Sequence, residues 1–349
     1  MENNIRFYDL PFEGIGDIWL LLKLPKGKLQ ITEFMHLLTV LTICTGVLLQ
    51  SCNNSASPDS PPGKEPFVVV LGIAQDAGYP QAACTKTCCR DLWNQHADRK
   101  MVSCIALVDP VEQKAWMFDA TPDFKFQLAE LTSDKYGPPE LAGIFLTHAH
   151  IGHYTGLMHL GHEVMGAKEV PVFAMPRMAK FLKENGPWSQ LVSLQNIALR
   201  QLAADSVVVL NERLKVRPFL VPHRDEFSET VGFEILGPEK SLIFIPDIDK
   251  WERWDRAVVE WVKTHDYNLI DGTFYENGEI PGRDMSQIPH PFIEESMKLF
   301  SNLPKEAKSK VIFIHLNHTN PALRQNSPAR KNVQRQGFCI ADEGMILGL

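Results

Sequence analysis

Thr147-His148-Ala149-His150-Ile151-Gly152-His153 sets three imidazoles within six residues, directly behind the apolar run Ile144-Phe145-Leu146. A short apolar run of this kind reads as a buried strand. A His-rich turn at its end aims several side chains at one point on a sheet edge. Imidazole is the commonest metal ligand near neutral pH, and three nitrogen ligands with a position left open suit a catalytic zinc. A helix start that happens to hold three histidines is the bland alternative, but core packing gives no reason for this spacing. The stretch is read as a metal site.

The arrangement recurs outward in both directions. Ala115–Phe118 runs into Asp119, Lys215–Leu220 leads to His223, and Leu242–Ile245 leads to Asp247. Asn268–Ile270 ends at Asp271, and Val311–Ile314 ends at His315. Apolar runs ending at 119, 148, 223, 247, 271 and 315 each deliver an acid or an imidazole. One such coincidence is cheap, whereas six imply a common centre. Asp249 is the rival of Asp247 as a metal ligand, but sits better as the N-cap of a helix over 251–262. Further helices are expected over 124–131, 154–165, 175–184 and 292–300, and a strand over 67–72. His290 stands between Pro289 and Pro291, which hold it in an extended segment. That geometry suits an imidazole aimed into a cleft.

Cys84, Cys88 and Cys89 lie within six residues in the loop after the first strand. Disulfide bonding is the usual reading in an exported chain. A vicinal pair makes a strained bridge, however, and an odd number leaves one thiol over. Thiolate coordination of zinc is therefore favoured, with a fourth ligand still to be found.

The chain has 349 residues, a formal charge of -7 and 44% hydrophobic residues. That is ordinary globular composition, and mild acidity gives no electrostatic reason to expect nucleic acid. The basic stretch from Arg324 to Arg335 is read as a solvated loop. Residues 37–49 are almost wholly apolar, too short to span a membrane comfortably but suited to a signal-peptide core. They lead into Leu49-Gln50-Ser51-Cys52, which resembles a bacterial lipobox with Cys52 as the lipidated residue. The expected organisation is a signal segment over 1–51, a flexible tether over 52–66 and one folded domain over 67–349. Acyl chains on Cys52 would anchor the domain to a membrane of the bacterial cell envelope, on its periplasmic or surface side.

His148-Ala149-His150-Ile151-Gly152-His153 resembles the His-x-His-x-Asp-His signature of the metallo-β-lactamase superfamily, whose fold is a four-layer αββα sandwich of the α/β (α+β) class. The order His-x-His-x-x-His, His, Asp, His is similar to that family from Phe67 to the C-terminus. The resemblance implies that His148, His150 and His223 hold one metal, and that His153, Asp247 and His315 hold a second. It places Asp119 near the metals without ligating them. Gly152 stands where the family has aspartate, so the second site is expected to be one ligand short.

Two branches of the family are most similar. The segments 71–81, 221–226 and 315–321 resemble pyrroloquinoline-quinone biosynthesis protein B. The cysteine cluster and the His315/His318 pair resemble the phosphodiesterase that opens phosphoribosyl cyclic phosphate. That second resemblance implies a structural zinc at Cys84, Cys88, Cys89 and His318, although the vicinal cysteines depart from its pattern. It also puts His290 at the place of a candidate proton donor.

The activity so implied is hydrolysis of a small-molecule ester, phosphodiester or amide. The first metal would acidify bound water to supply hydroxide, and the second would polarise the scissile group. His290 would protonate the leaving group, oriented by Asp271. Zinc suits the first site, and zinc, manganese or iron the second. Two other readings stand beside it. One is a metal-assisted oxidation in quinone-cofactor synthesis. The other is a ligand-binding lipoprotein without catalysis, should Gly152 have cost the centre a metal.

Overall fold

The computed structural model describes residues 63–349. The expected signal segment, the lipidation residue Cys52 and nearly all of the tether lie outside the described residues. The last tether positions are already tied to the domain, because Lys64 O accepts from Arg213 and Pro66 O accepts from the Leu349 amide.

The first strands are β1 (Phe67–Gly72), β2 (Cys104–Asp109), β3 (Lys114–Phe118), β4 (Glu140–Phe145), β5 (Val170–Ala174) and β6 (Ile197–Gln201). They continue as β7 (Val208–Val209), β8 (Lys215–Leu220), β9 (Val231–Leu236), β10 (Ser241–Ile245) and β11 (Tyr267–Asp271). The last three are β12 (Val311–Ile314), β13 (Cys339–Ile340) and β14 (Ile346–Gly348). They form two seven-stranded sheets, ordered β14-β1-β2-β3-β4-β5-β6 and β13-β12-β11-β10-β9-β8-β7.

The helices are α1 (Phe124–Leu131), α2 (Ile151–Tyr154), α3 (Pro176–Glu184), α4 (Trp188–Ser193) and α5 (Val258–Thr264), then α6 (Ile293–Leu299), α7 (Lys305–Lys308) and α8 (Pro328–Arg335). Most of them fall between parallel strands, as crossover connections require.

Side-chain alternation explains the layering. In β1, Val68 and Val70 face the core between the sheets, while Phe67, Val69 and Leu71 face the opposite core. The outer core takes Phe124 and Leu131 of α1 with Met178 and Leu182 of α3. The other sheet is covered by Val258 and Val262 of α5, Met297 of α6 and Val333 of α8. Between the sheets, Phe118 and Phe145 stack at 5.1 Å, and both meet Phe233 edge-on at 5.3 and 5.5 Å. Offset and edge-on contacts of this kind add to the burial of apolar surface. The result is the expected four-layer αββα sandwich in one domain.

Strand direction assembles the site. Pairing is parallel in β3/β4 and through β10/β11/β12, so their C-terminal ends share one edge. Strand β8 is antiparallel to β9, and β9 to β10, so β8 ends there as well. Ligands of α/β sheets bind in the crevice outside such carboxyl ends.

Three local expectations are corrected. The segment 154–165 is not one α-helix: α2 is a single turn that tightens into a 3-10 stretch over Thr155–Leu160. Gly156 lets this stretch pack against the loop after β3, since a Cβ there would lie 2.1 Å from Thr121 O. The segment 251–262 is likewise a 3-10 turn, Trp251–Arg253, followed after a gap by α5. Asp249 therefore caps no long helix. The basic stretch 324–335 is two-thirds helix, and its Arg330 is buried on Asp342 at 2.5 Å rather than solvated.

Candidate metal centre

Strand ends place the side chains. Asp119 and His315 leave β3 and β12 in the left-handed region, at φ +70° and +65°. L-residues are strained there, and strain of this kind concentrates where the surrounding structure over-determines a functional position.

Four atoms converge first. His150 Nδ1 lies 2.8 Å from His148 Nε2 and 3.2 Å from His223 Nε2. Asp247 Oδ2 is 3.4 Å from His148 Nε2, 3.9 Å from His150 Nδ1 and 3.1 Å from His223 Nε2. Ligands about 2.1 Å from a tetrahedral zinc stand roughly 3.4 Å apart, so these spacings fit one ion. Beside them, Asp76, His153 and His315 offer atoms within 4.8 Å of one another. Asp247 Oδ2 is 3.9 Å from His153 Nε2, which places Asp247 between the two groups.

The imidazoles are held from behind. His148 Nδ1 meets Thr147 Oγ1 at 3.0 Å, and His153 Nδ1 meets Asp119 Oδ2 at 2.7 Å. His223 Nδ1 lies 3.3 Å from Asp249 Oδ1, and His315 Nδ1 meets Thr273 Oγ1 at 3.0 Å. Metal-binding histidines show this pattern, because the outer oxygen fixes the tautomer and leaves the other nitrogen free to ligate. Asp119, fully buried, also accepts from the Thr147 amide at 2.8 Å.

The inner atoms lack protein partners. His153 Nε2, His315 Nε2, Asp76 Oδ1 and Asp247 Oδ1 are buried without a hydrogen bond. Native structures rarely leave such groups unsatisfied, so these residues fit a bound cation.

Burial is the largest influence on His148, His315, His223, His153 and Asp247. It holds His148 well below the usual imidazole range and His315 below it as well. At His223 burial is outweighed by Asp247 and Asp249, which together lift the imidazole to about 10. At His153 burial is outweighed by Asp119 and Asp76, and the pKa rises well above the ordinary value. Asp247 is pushed upward by burial but drawn well below the carboxylate range by His223, His290 and the neighbouring imidazoles.

His290 sits beside this centre. Its Nδ1 lies 2.8 Å from Asp271 Oδ2 and 3.2 Å from Asp247 Oδ1. Asp271 is fixed in turn by the amides of Ile248 and Thr273. The loop that carries His290 is anchored by a small core of Phe274, Met285, Ile288 and Phe292. Burial lowers the His290 pKa, but Asp271 and Asp247 more than reverse it.

A second cluster lies apart in function. Cys84, Cys88, Cys89 and His318 bring their ligand atoms within 4.8 Å, and Cys84 Sγ is 3.7 Å from Cys88 Sγ. Sulfurs about 2.3 Å from a tetrahedral zinc stand roughly 3.8 Å apart. The three thiols are free, so the disulfide reading is not what this structure shows. His318 Nδ1 is buried and unpartnered. Burial raises Cys89 to about 12, a cost that a bound cation would remove.

The sequence reading missed Asp76 and Asp249. Asp76 lies in a turn-rich loop with no apolar strand directly before it, and Asp249 looked like a cap. Asp76 stands in the space beside Gly152, where a side chain at that position would lie.

The Beta-lactamase superfamily domain family matches residues 115–316, more than half of the chain. The chain belongs to the metallo-β-lactamase superfamily. Within it the chain is similar to PqqB proteins. It is 29% identical over 314 residues to coenzyme PQQ synthesis protein B of Klebsiella pneumoniae (strain 342), covering 81% of this chain and 98% of that protein. The Zn(2+)-bound PqqB from Methylobacterium extorquens superposes with a TM-score of 0.68 at 23% identity, over 81% of this chain and all of that one (100%). A diphosphatase of the PhnP family gives 0.56 at 20% identity, over 82% and 99%. These two structures share the fold.

Proposed function

We propose that the protein is a zinc-dependent hydrolase acting on a small-molecule ester or phosphodiester. The observation that carries this reading is the convergence of His148, His150 and His223 on one ion position, with Asp247 set between it and the pair His153 and His315. When bound, metal ions at such a centre polarise the scissile group and acidify water.

The chain's own residues do the rest. The oxygens of Thr147, Asp119, Asp249 and Thr273 hold the imidazoles in the ligating orientation. Asp271 accepts from His290 Nδ1, so the other ring nitrogen is the one that donates to a leaving group. The Cys84/Cys88/Cys89/His318 group holds a structural zinc that pins the first loop to the strand end carrying His315. The domain is tethered to the cell envelope through a lipidated Cys52, on the evidence of the lipobox. Palmitate labelling of cells should mark the wild type and not Cys52→Ser, and equal labelling would refute the anchor.

A screen of phosphodiesters, lactones and β-lactams should find turnover that His150→Ala abolishes while the circular dichroism spectrum stays unchanged. Full activity in His150→Ala would sink the mechanism. The relatives named for coenzyme PQQ synthesis favour a second reading, a metal-assisted oxidation. Oxygen uptake with a reduced quinone precursor, and no turnover anywhere in the screen, would select it.

A further inference from the structure

We propose that the carboxylate of the second metal site has moved from the helix start to the first loop, so that Asp76 ligates where a side chain at position 152 would otherwise stand. The inference rests on the metal-site reading above and assigns a ligand that the family motif lacks in this chain.

Volume is the first argument. A Cβ built on Gly152 would lie 2.2 Å from Asp76 Oδ1, 2.5 Å from its Cα and 2.9 Å from its Cβ. All three nearest atoms belong to Asp76, and one of them is backbone, so no rotamer change relieves the clash. Position 152 can carry a side chain, or Asp76 can stand where it does, but not both.

Aim is the second argument. Asp76 Oδ1 lies 3.2 Å from His153 Nε2, and with His315 these residues offer atoms within 4.8 Å of each other. Asp76 Oδ1, His153 Nε2 and His315 Nε2 are each buried without a hydrogen-bond partner. Three unsatisfied atoms facing a common point, one carboxylate and two imidazoles, form a donor set for a divalent cation.

Support is the third. Ala74 makes parallel bridges to both Val102 and Leu316, and the Gln75 amide donates to Leu316 O at 2.8 Å. The Gly78 amide closes the turn on Gln75 O at 2.8 Å, and the Asn317 side chain donates to the Gln75 side chain. Asp76 is thus the second residue of a turn fixed to the strand end that carries His315. A ligand on a pinned turn is as well placed as one on a helix.

The test is cobalt(II) binding to the full chain, followed by visible absorption and elemental analysis. Wild type should fill both histidine positions. Asp76→Asn should bind the second equivalent at least about 100-fold more weakly, since losing a direct ligand exceeds the 10–100-fold typical of an outer-shell partner. Gly152→Ala removes no ligand yet should lose the same equivalent by displacing Asp76, and it carries the test if Asp76→Asn fails to fold. Undiminished second-site binding in Asp76→Asn, or in Gly152→Ala, would overturn the proposal while the metal-site reading stands. A wild type that takes cobalt only at the cysteines would instead overturn the metal-site reading, and this inference with it.

Discussion

An imidazole that ligates through one nitrogen needs the other held, and that requirement separates Asp249 from an ordinary surface acid. Its Oδ1 faces His223 Nδ1 at 3.3 Å, while Oδ2 takes Arg253 at 2.8 Å. Asp249→Ala should leave the fold intact and weaken metal at the His148/His150/His223 position by about 10–100-fold. Competition with a chelator of known affinity would measure the change, and an unaltered affinity would return Asp249 to a structural role. The ligating histidines were legible because each follows an apolar run. Asp249 and Asp76 were not, because what marks them is the tertiary neighbour. A carboxylate in a turn reads the same whether it faces water or an imidazole, and only assembly of the two sheets tells which.

Elements fix what single residues cannot. The loop bearing His290 is fastened to the loop bearing His318 through Glu279, which accepts from the Tyr275 amide at 2.6 Å and from Thr319 Oγ1. Burial lifts the Glu279 pKa from 4.5 to about 7. A carboxyl with a raised folded pKa favours the folded state when protonated. Its contribution is complete below about pH 4.5 and is lost as pH rises through about 7.

Glu279→Gln mimics the protonated form, with Nε2 donating to Thr319 Oγ1, whose hydroxyl then donates to Asn317 Oδ1 at 2.9 Å. Relative to wild type it should gain up to about 3 kcal/mol at pH 8 and almost nothing at pH 4.5. Urea unfolding at both values checks this, and an equal gain at each pH would remove the proton linkage. The continuous apolar run of β1, closed by Gly72, and the helix α1 were readable at their observed bounds. The turns around 154–165 and 251–262 were not, and at Gly156 the close neighbour is Thr121, a residue distant in sequence.

At the scale of the molecule, two sheets supply the strand ends and one long connection closes over them. Between β1 and β2 the chain forms only two short 3-10 turns, Arg90–Trp93 and His96–Asp98. Its base is tied by the bridges Ala74↔Val102 and Tyr79↔Lys100. Beyond that base, few backbone bonds reach the sheets, so local opening should cost less than global unfolding. On the proposed zinc reading the cysteine group supplies a further fastening, because Cys84, Cys88 and Cys89 lie on this loop while His318 lies three residues after His315. A metal there stabilises only the closed form and shifts the equilibrium by mass action. Cys88→Ser should therefore lose one metal per chain and become sensitive to limited proteolysis between 81 and 99, with the sheets still folded. Because Asp76 and His315 sit at the two roots of that fastening, turnover should fall together with the protection. A Cys88→Ser protein that kept its metal count and its resistance would show that the loop is held by its backbone bridges alone.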